Sequence, residues 1–454
     1  MTALDKDVDA ETGRRRVLII VQNLSVPFDR RVWKEARALR EAGYGVSVIC
    51  PRSAAPPEPY EHLDGVHIYR HPLPFEASGR FGYLGEYAMA LVWQLFYAFR
   101  ILRRHGFDVV HACNPPDLIY LIATIFKRVL NKKFVFDHHD LCPELYEAKF
   151  GAANFMYTLL VFFERRTFAL ADVSIATNVS YRQIAIERGG MQADRVFTVR
   201  SGPDIESVRP RTPDDRWKNG RKHLIAYVGV IGEQEGLDLL VESIEHMVHG
   251  QGRTDVQTVV MGTGPAWSKL RKLVDEKGLG DFISLTGRVD DETLCTVLST
   301  ADVCVNPDRP NPMNDMSTMN KIMEYMAIGK PIVQFDLTEG RVSAGESSLY
   351  ARPIDIRDFA EKVLMIIDDP ELGARMGAFG LQRIRNELSW DKEKPKLLVV
   401  YDTLFSLPPK PATSFRRGRV TRPKLSSAYD QSAAAMTSPG AATRTVSATT
   451  HEDR

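Results

Sequence analysis

The stretch that most constrains this chain is Ala301 to Asp336, which reads strand, loop, helix, strand. Ala301 to Asn306 is apolar enough for a buried strand and stops in Pro307-Asp308-Arg309-Pro310-Asn311-Pro312, where no regular element continues. Asn314, Asp315, Ser317 and Thr318 are helix-capping residue types, and Met319, Ile322, Met323 and Met326 recur at the spacing of one buried helical face. Gly329 ends the helix, and Pro331 opens a second strand, Ile332-Val333-Gln334-Phe335. A helix that starts at the carboxyl edge of a parallel sheet presents unpaired N–H groups there, and phosphate is the anion expected to meet them.

Asn320, Lys321 and Glu324 fall on the side of that helix opposite the methionines. A merely solvated face has the same pattern. Yet a lysine in the first turn opposes the helix dipole unless an anion offsets it, and a glutamate one turn later can accept hydrogen bonds from vicinal hydroxyls. Phosphate beside a diol describes a nucleotide ribose.

The surrounding chain repeats this alternation. Arg16 to Val21 is a strand, Arg30 to Ala42 a helix with Val32, Ala36 and Leu39 inward, and Val46 to Cys50 the next strand, which completes a βαβ unit. Its first loop lacks G-x-G-x-x-G, which disfavours a nicotinamide or flavin enzyme. Arg30 and Arg31 open the helix; they are surface cations or they face an anion across a cleft. Phe134-Val135-Phe136 runs into Asp137-His138-His139-Asp140 at the sheet's carboxyl edge. Adjacent strand residues point to opposite faces, so the two histidines do not share a metal easily, and one is expected to face the cleft.

Arg200 to Arg221, rich in Pro, Gly and charge, reads as a linker, after which a fresh αβ series starts at Leu224 and passes through Gly262-Thr263-Gly264-Pro265 and Ile283 to Val289. Ser389 to Phe405 reads as a terminal helix, which Pro395 kinks or begins. At 454 residues the chain suits two or three domains, and 59 basic against 58 acidic residues leave no nucleic-acid footprint. Five cysteines without C-x-x-C spacing read as reduced thiols and imply a cytosolic setting, and Met1 to Thr12 has no apolar core of a secretion signal. Composition predicts disorder for 1–14 and for 408–454, whose Arg416, Arg417, Arg419, Arg422 and Lys424 form a basic cluster.

Three apolar segments end in cations: Tyr87 to Phe99, Leu118 to Phe126 and Phe155 to Phe163. Each is too short to span a bilayer. Contact with an anionic membrane surface and burial in the core with a positively charged C-terminus account for them equally.

Asn320-Lys321-Ile322-Met323-Glu324-Tyr325-Met326-Ala327-Ile328-Gly329-Lys330-Pro331-Ile332-Val333 resembles the E-Y-M-A-x-G-K-P-[IV]-V segment of the retaining glycosyltransferases of family 4. Tyr227-Val228-Gly229, Gly262-Thr263-Gly264-Pro265, Thr286-Gly287-Arg288-Val289 and Ser299 to Val303 extend the resemblance over about residues 15 to 405. Phe28 to Trp33 and Phe136 to Leu145 resemble a bacterial branch that builds surface polysaccharides. The resemblance implies a GT-B fold of two Rossmann-like domains facing across a cleft. It assigns 15–205 to an acceptor domain, 206–388 to a nucleotide-sugar domain and 389–407 to a helix crossing back to the first.

By the same resemblance, Glu324 binds the ribose hydroxyls, Gly262 and Gly264 line the nucleotide pocket, the backbone near Arg288 and Val289 meets the base, and His139 contacts the donor sugar. The family's first paired glutamate is replaced by Met316, with Asp315 or Asp308 as substitutes, and its diphosphate-binding arginine and lysine by Val230 and Glu235. Charge neutralisation then falls to Lys321, the helix N-terminus, or Arg30 and Arg31.

The implied reaction moves a sugar from a nucleoside diphosphate sugar to a saccharide or polyprenyl-linked acceptor, with no cofactor or metal, in the cytoplasm or on the inner face of the plasma membrane. Acceptor choice falls to Ser53 to Arg80 and Leu141 to Asn154. An epimerase or hydrolase on the same fold is the alternative; no clear set of carboxylates stands ready for its proton abstraction.

Overall fold

The computed structural model describes residues 14–52, 58–72, 79–151 and 155–407. The N-terminal tail before Arg14, the basic cluster after Leu407 and parts of both acceptor loops lie outside the described residues.

Two sheets organise the chain. The first orders its eight strands β3-β4-β2-β1-β5-β6-β7-β8. They are β1 Arg16–Ile20, β2 Gly45–Pro51, β3 Tyr60–Leu63, β4 Val66–His71, β5 Val109–Cys113, β6 Lys133–His138, β7 Val173–Ala176 and β8 Val196–Thr198. The second orders six strands β11-β10-β9-β12-β13-β14. These are β9 His223–Val228, β10 Val256–Met261, β11 Ile283–Gly287, β12 Val303–Asn306, β13 Ile332–Phe335 and β14 Ser348–Ala351. Every pairing is parallel except β3 with β4. That hairpin turns at Asp64 and Gly65, both at positive φ, and the Asp-Gly pair is its signal in the sequence. In each sheet the strand order reverses beside the first strand, β1 or β9, which puts a ligand crevice at the carboxyl ends.

Alternation along β1 builds two cores. Leu18 and Ile20 join the side covered by α2 (Gly79–Arg104), α3 (Tyr120–Leu130) and the helix Phe155–Leu170, whereas Val17 and Ile19 join the side covered by α1 (Arg30–Glu41) and the C-terminal helix. Asp29 starts α1 by accepting the Val32 N–H. On α2 the buried residues Ala90, Gln94, Ala98 and Ile101 face the sheet, while Met89, Val92, Phe96 and Phe99 form an exposed stripe one helical face wide. All five cysteines are free and buried.

The chain passes between the domains after β8 and returns at Leu388, where the helix Trp390–Ser406 lays Leu397, Val400, Tyr401 and Leu404 on the first sheet. Pro395 does not begin that helix; it lies inside it, where its missing N–H removes one ladder bond. The two passages touch. The Trp390 N–H donates to the Pro203 carbonyl at 3.0 Å, and a Cβ at Gly202 would lie 2.1 Å from the Leu388 carbonyl oxygen, so no other residue fits there.

Candidate functional site

The functional helix spans Asn320–Ile328, and a separate short helix, Pro312–Met316, precedes it. Asn311 caps the short helix, and no side chain caps the longer one, so Asn314, Asp315, Ser317 and Thr318 do not have the capping role their types suggest. The reason is docking between domains. Asn178 donates to the Met316 carbonyl at 2.8 Å and to the Thr318 hydroxyl at 3.0 Å, and Met316 itself is buried in the core of the first domain. Where the family places a carboxylate, this chain packs a thioether against the opposite domain. Asp315 is engaged within its own domain: its carboxylate accepts from the Thr338 N–H at 2.8 Å and the Thr338 hydroxyl at 3.0 Å.

Lys321 is likewise engaged. Its Nζ lies 2.9 Å from Asp308 Oδ1, 3.4 Å from the Tyr227 hydroxyl and 4.8 Å from the centre of that ring. Burial disfavours the ammonium, but Asp308 outweighs it and holds the pKa above the ordinary lysine value. A resident carboxylate therefore offsets this cation, and Asp308 is no free substitute for the missing glutamate. Buried Asp308 Oδ2 and Glu235 Oε2 have no partner among the described residues. Burial raises the Glu235 pKa against the opposing field of Lys321.

Glu324 stands apart. Its side chain is 19% exposed, 3.6 Å from Arg30 Nη1, and burial raises its pKa with Arg30 as the chief opposing charge. Arg30 also pairs with Asp291. Gly262 and Gly264 bring backbone against backbone: at Gly262, φ is +143° and a Cβ would lie 1.8 Å from the Gly229 carbonyl oxygen. Arg288 is exposed, with its guanidinium 5.8 Å from the centre of the Phe28 ring in the other domain, and Val289 is partly buried.

The adjacent histidines divide as a strand end requires. His138 is fully buried among Phe136, Phe168 and Tyr181, and burial lowers its pKa to about 3. His139 turns the other way, 14% exposed, with Nε2 2.5 Å from Asp137 Oδ2 and 3.0 Å from Arg31 Nε. Arg31 is buried against carboxylates of its own domain: it meets Asp137 at 2.9 Å, Glu35 at 3.0 Å, the Val199 carbonyl at 2.9 Å and the Ser201 hydroxyl at 3.0 Å. Glu35, Cys113, Asp137 and His139 offer ligand atoms within 4.8 Å of one another, close enough for a metal. The guanidinium of Arg31 is the cation they already surround, and burial lifts the Cys113 thiol far above its usual pKa, so the set does not fit a metal ion.

A cavity of about 190 Å³ joins the two sides. Its walls are Arg30, Arg31, Lys34 and Arg37 from α1, Asn320 and Glu324 from the functional helix, Asp291, and Asp204 of the linker. Of the residues singled out in the sequence, Arg30, Arg31, Asn320 and Glu324 meet here, and His139 stands behind Arg31. Lys321, Gly262, Gly264 and Arg288 lie outside its walls. Lys34 escaped sequence reading although Arg30, Lys34 and Arg37 recur at helical spacing; burial and then Arg31 bring its pKa down to about 8.

Residues 29–207 match the family described as Glycosyltransferase Family 4, and residues 222–369 match Glycosyl transferases group 1. An alpha-D-kanosaminyltransferase of Streptomyces kanamyceticus is 25% identical over 362 residues, 75% of this chain and 91% of that protein. A D-inositol 3-phosphate glycosyltransferase of Catenulispora acidiphila is 25% identical over 391 residues, covering 82% and 89%. Among solved structures, sucrose-phosphate synthase from Thermosynechococcus elongatus superposes with a TM-score of 0.73 at 18% identity, over 87% of this chain and all of that one. HepE from Anabaena, solved with UDP and glucose, superposes with a TM-score of 0.64 at 16% identity, over 87% and 100%. With two facing Rossmann-like sheets, a cleft helix that carries Glu324, and matches along both halves, the chain belongs to glycosyltransferase family 4 and has the GT-B fold.

Proposed function

We propose that the protein transfers a sugar, with retention of configuration and without a metal, from a nucleoside diphosphate sugar to a lipid-linked or growing saccharide acceptor in cell-surface polysaccharide synthesis. The observation that carries this is Glu324: a partly exposed carboxylate on the wall of an interdomain cavity, facing arginine rather than solvent alone. It accepts the ribose hydroxyls. Asn320 and the helix N-terminus meet the diphosphate with Arg30, while Gly262 and Gly264 let the backbone approach the nucleotide and the backbone of Arg288 and Val289 meets the base. His139 meets the sugar, and stabilising the departing diphosphate carries the chemistry. Lys321 acts only through Asp308. The test is diphosphate release from a panel of UDP-, GDP- and ADP-sugars with and without membrane extract. Glu324→Ala should abolish turnover; donor conversion without acceptor would point to an epimerase or hydrolase instead.

The same reading puts the protein in the cytoplasm, on the inner face of the membrane. In its favour, Val92 at 65%, Phe96 at 53%, Val129 at 74% and Phe155 at 77% are exposed on neighbouring helices whose C-terminal halves carry Arg100, Arg103, Arg128 and Arg166. An apolar surface rimmed by cations suits anionic lipid. No helix among the described residues is long and apolar enough to cross a membrane. Sedimentation with phosphatidylglycerol vesicles, but not phosphatidylcholine vesicles, and its loss in Val92→Asp/Phe96→Asp, is the expected result.

A further inference from the structure

We propose that Asp137 and Arg31 are positioning residues for the cleft histidine: they fix the proton of His139 on Nε2 and leave Nδ1 as the atom that meets the donor. The inference rests on the reading in which His139 contacts the donor sugar.

The geometry sets a choice. His139 Nε2 lies 2.5 Å from Asp137 Oδ2 and 3.0 Å from Arg31 Nε. A ring nitrogen that carries a proton donates to the carboxylate; one that does not accepts from the guanidinium and opposes a lone pair to the carboxylate. Asp137 decides between them. Burial alone would raise its pKa, but the Arg31 guanidinium forked onto it at 2.9 and 3.3 Å is the chief charge that holds it well below the ordinary value, so it is an anion. An anionic oxygen at 2.5 Å from a ring nitrogen requires a donated proton. Arg31 is then satisfied without the imidazole, because it holds Asp137 with a fork of Nη2 to Oδ1 at 2.9 Å and Nε to Oδ2 at 3.3 Å.

Neighbouring elements keep this arrangement rigid. The His139 backbone N–H donates to Asn114 Oδ1 at 2.7 Å, which fixes the residue from its other end. Arg31 Nη1 donates to the Val199 carbonyl and the Ser201 hydroxyl at the start of the interdomain passage. Behind Asp137, His111 Nε2 lies 3.5 Å away while its Nδ1 meets the Tyr401 hydroxyl of the C-terminal helix at 2.7 Å. With the proton on Nε2, Nδ1 carries a lone pair and accepts a hydrogen bond from a sugar hydroxyl.

The experiment uses the full chain with ¹⁵N-labelled histidine. The ring signals of His139, identified by their loss in His139→Gln, should show the proton on Nε2. Asp137→Asn should release that preference and lower kcat roughly tenfold to a hundredfold, the worth of one charge-assisted hydrogen bond, with donor KM little changed. Added to His139→Gln, it should lower kcat no further, whereas a purely structural role would lower it in both backgrounds. A wild-type proton on Nδ1, multiplying effects, or an unchanged spectrum and kcat in Asp137→Asn overturns the proposal, and so does a fully active His139→Gln. If Asp137→Asn does not fold, the wild-type spectrum decides alone. Absence of turnover with any nucleotide sugar would instead overturn the reading beneath it and leave the spectrum to judge the proton's position.

Discussion

Each domain holds a buried cation among carboxylates at the cleft end of its sheet, and the two are built differently. Around Arg31, one planar fork serves Asp137, Glu35, the Val199 carbonyl and Ser201 together. Around Lys321, one short bond reaches Asp308, while buried Asp308 Oδ2 and Glu235 Oε2 have no hydrogen-bond partner among the described residues. A guanidinium offers donors in several fixed directions and an ammonium acts as a point charge, so Arg31 ties several groups together where Lys321 holds one carboxylate; both clusters keep buried acceptors without a hydrogen-bond partner among the described residues, Glu35 Oε1 and Oε2 in the first. The first suits holding a side chain still. The second lies outside the walls of the interdomain cavity.

The largest effect should come from cutting the Arg31 cluster. Asp137→Ala leaves Arg31 buried with only a carboxyl whose pKa burial has pushed up, Glu35, and should cost about 3–5 kcal/mol in urea unfolding. Lys321→Met should cost less, because the ammonium makes one short bond to a carboxylate where the guanidinium ties several groups together, and a larger loss than that of Asp137→Ala would reverse the contrast.

Glu324→Gln sharpens the comparison by touching neither cluster. It should leave stability nearly unchanged and lower donor kcat/KM roughly tenfold to a hundredfold. The raised Glu324 pKa also means that donor KM climbs on acidification from a pH above the ordinary 4.5, a rise that Glu324→Gln should flatten.

His138 tests the first domain from its apolar side. Its pKa falls from 6.5 to about 3 on folding, through burial first and Arg188 next. The unfolded chain therefore binds a proton below pH 6.5 that the folded chain refuses. Stability is complete above that pH and declines by about 1.4 kcal/mol per pH unit as acid is added, which His138→Phe should remove. The smallest change belongs to Arg30, whose side chain is 52% exposed. Arg30→Ala should weaken donor binding only about fivefold, and less at high salt.

The same contrast explains what could be read from the sequence. Local periodicity reveals β1, α1 and the polar face with Glu324, because each depends on neighbours a turn or two away. Strand alternation likewise separates His138 from His139. Arg31 is different: an arginine in the first turn of a helix reads as solvated or ligand-facing, and its burial follows from Asp137, 106 positions away. Lys321 carries the signature of an anion site, and the anion proved to be Asp308 in the preceding loop. The capping run Asn314 to Thr318 misleads because docking onto Asn178 bends the chain into two helices. The hairpin at Asp64-Gly65 falls inside Ser53 to Arg80, which the sequence reads as a loop, because its first strand, Tyr60–Leu63, is too short and polar to announce itself.

The contact at Gly202 constrains how the enzyme can open. With the outgoing and returning segments pressed together at one glycine and the Leu388 carbonyl, the two halves of the molecule share a pivot. Any rotation of one half against the other would have to turn about this contact, close to Ser201 and farther from the pair Arg30 and Glu324. A side chain at position 202 would wedge that pivot and leave the jaws misaligned even though no residue of the pocket had changed.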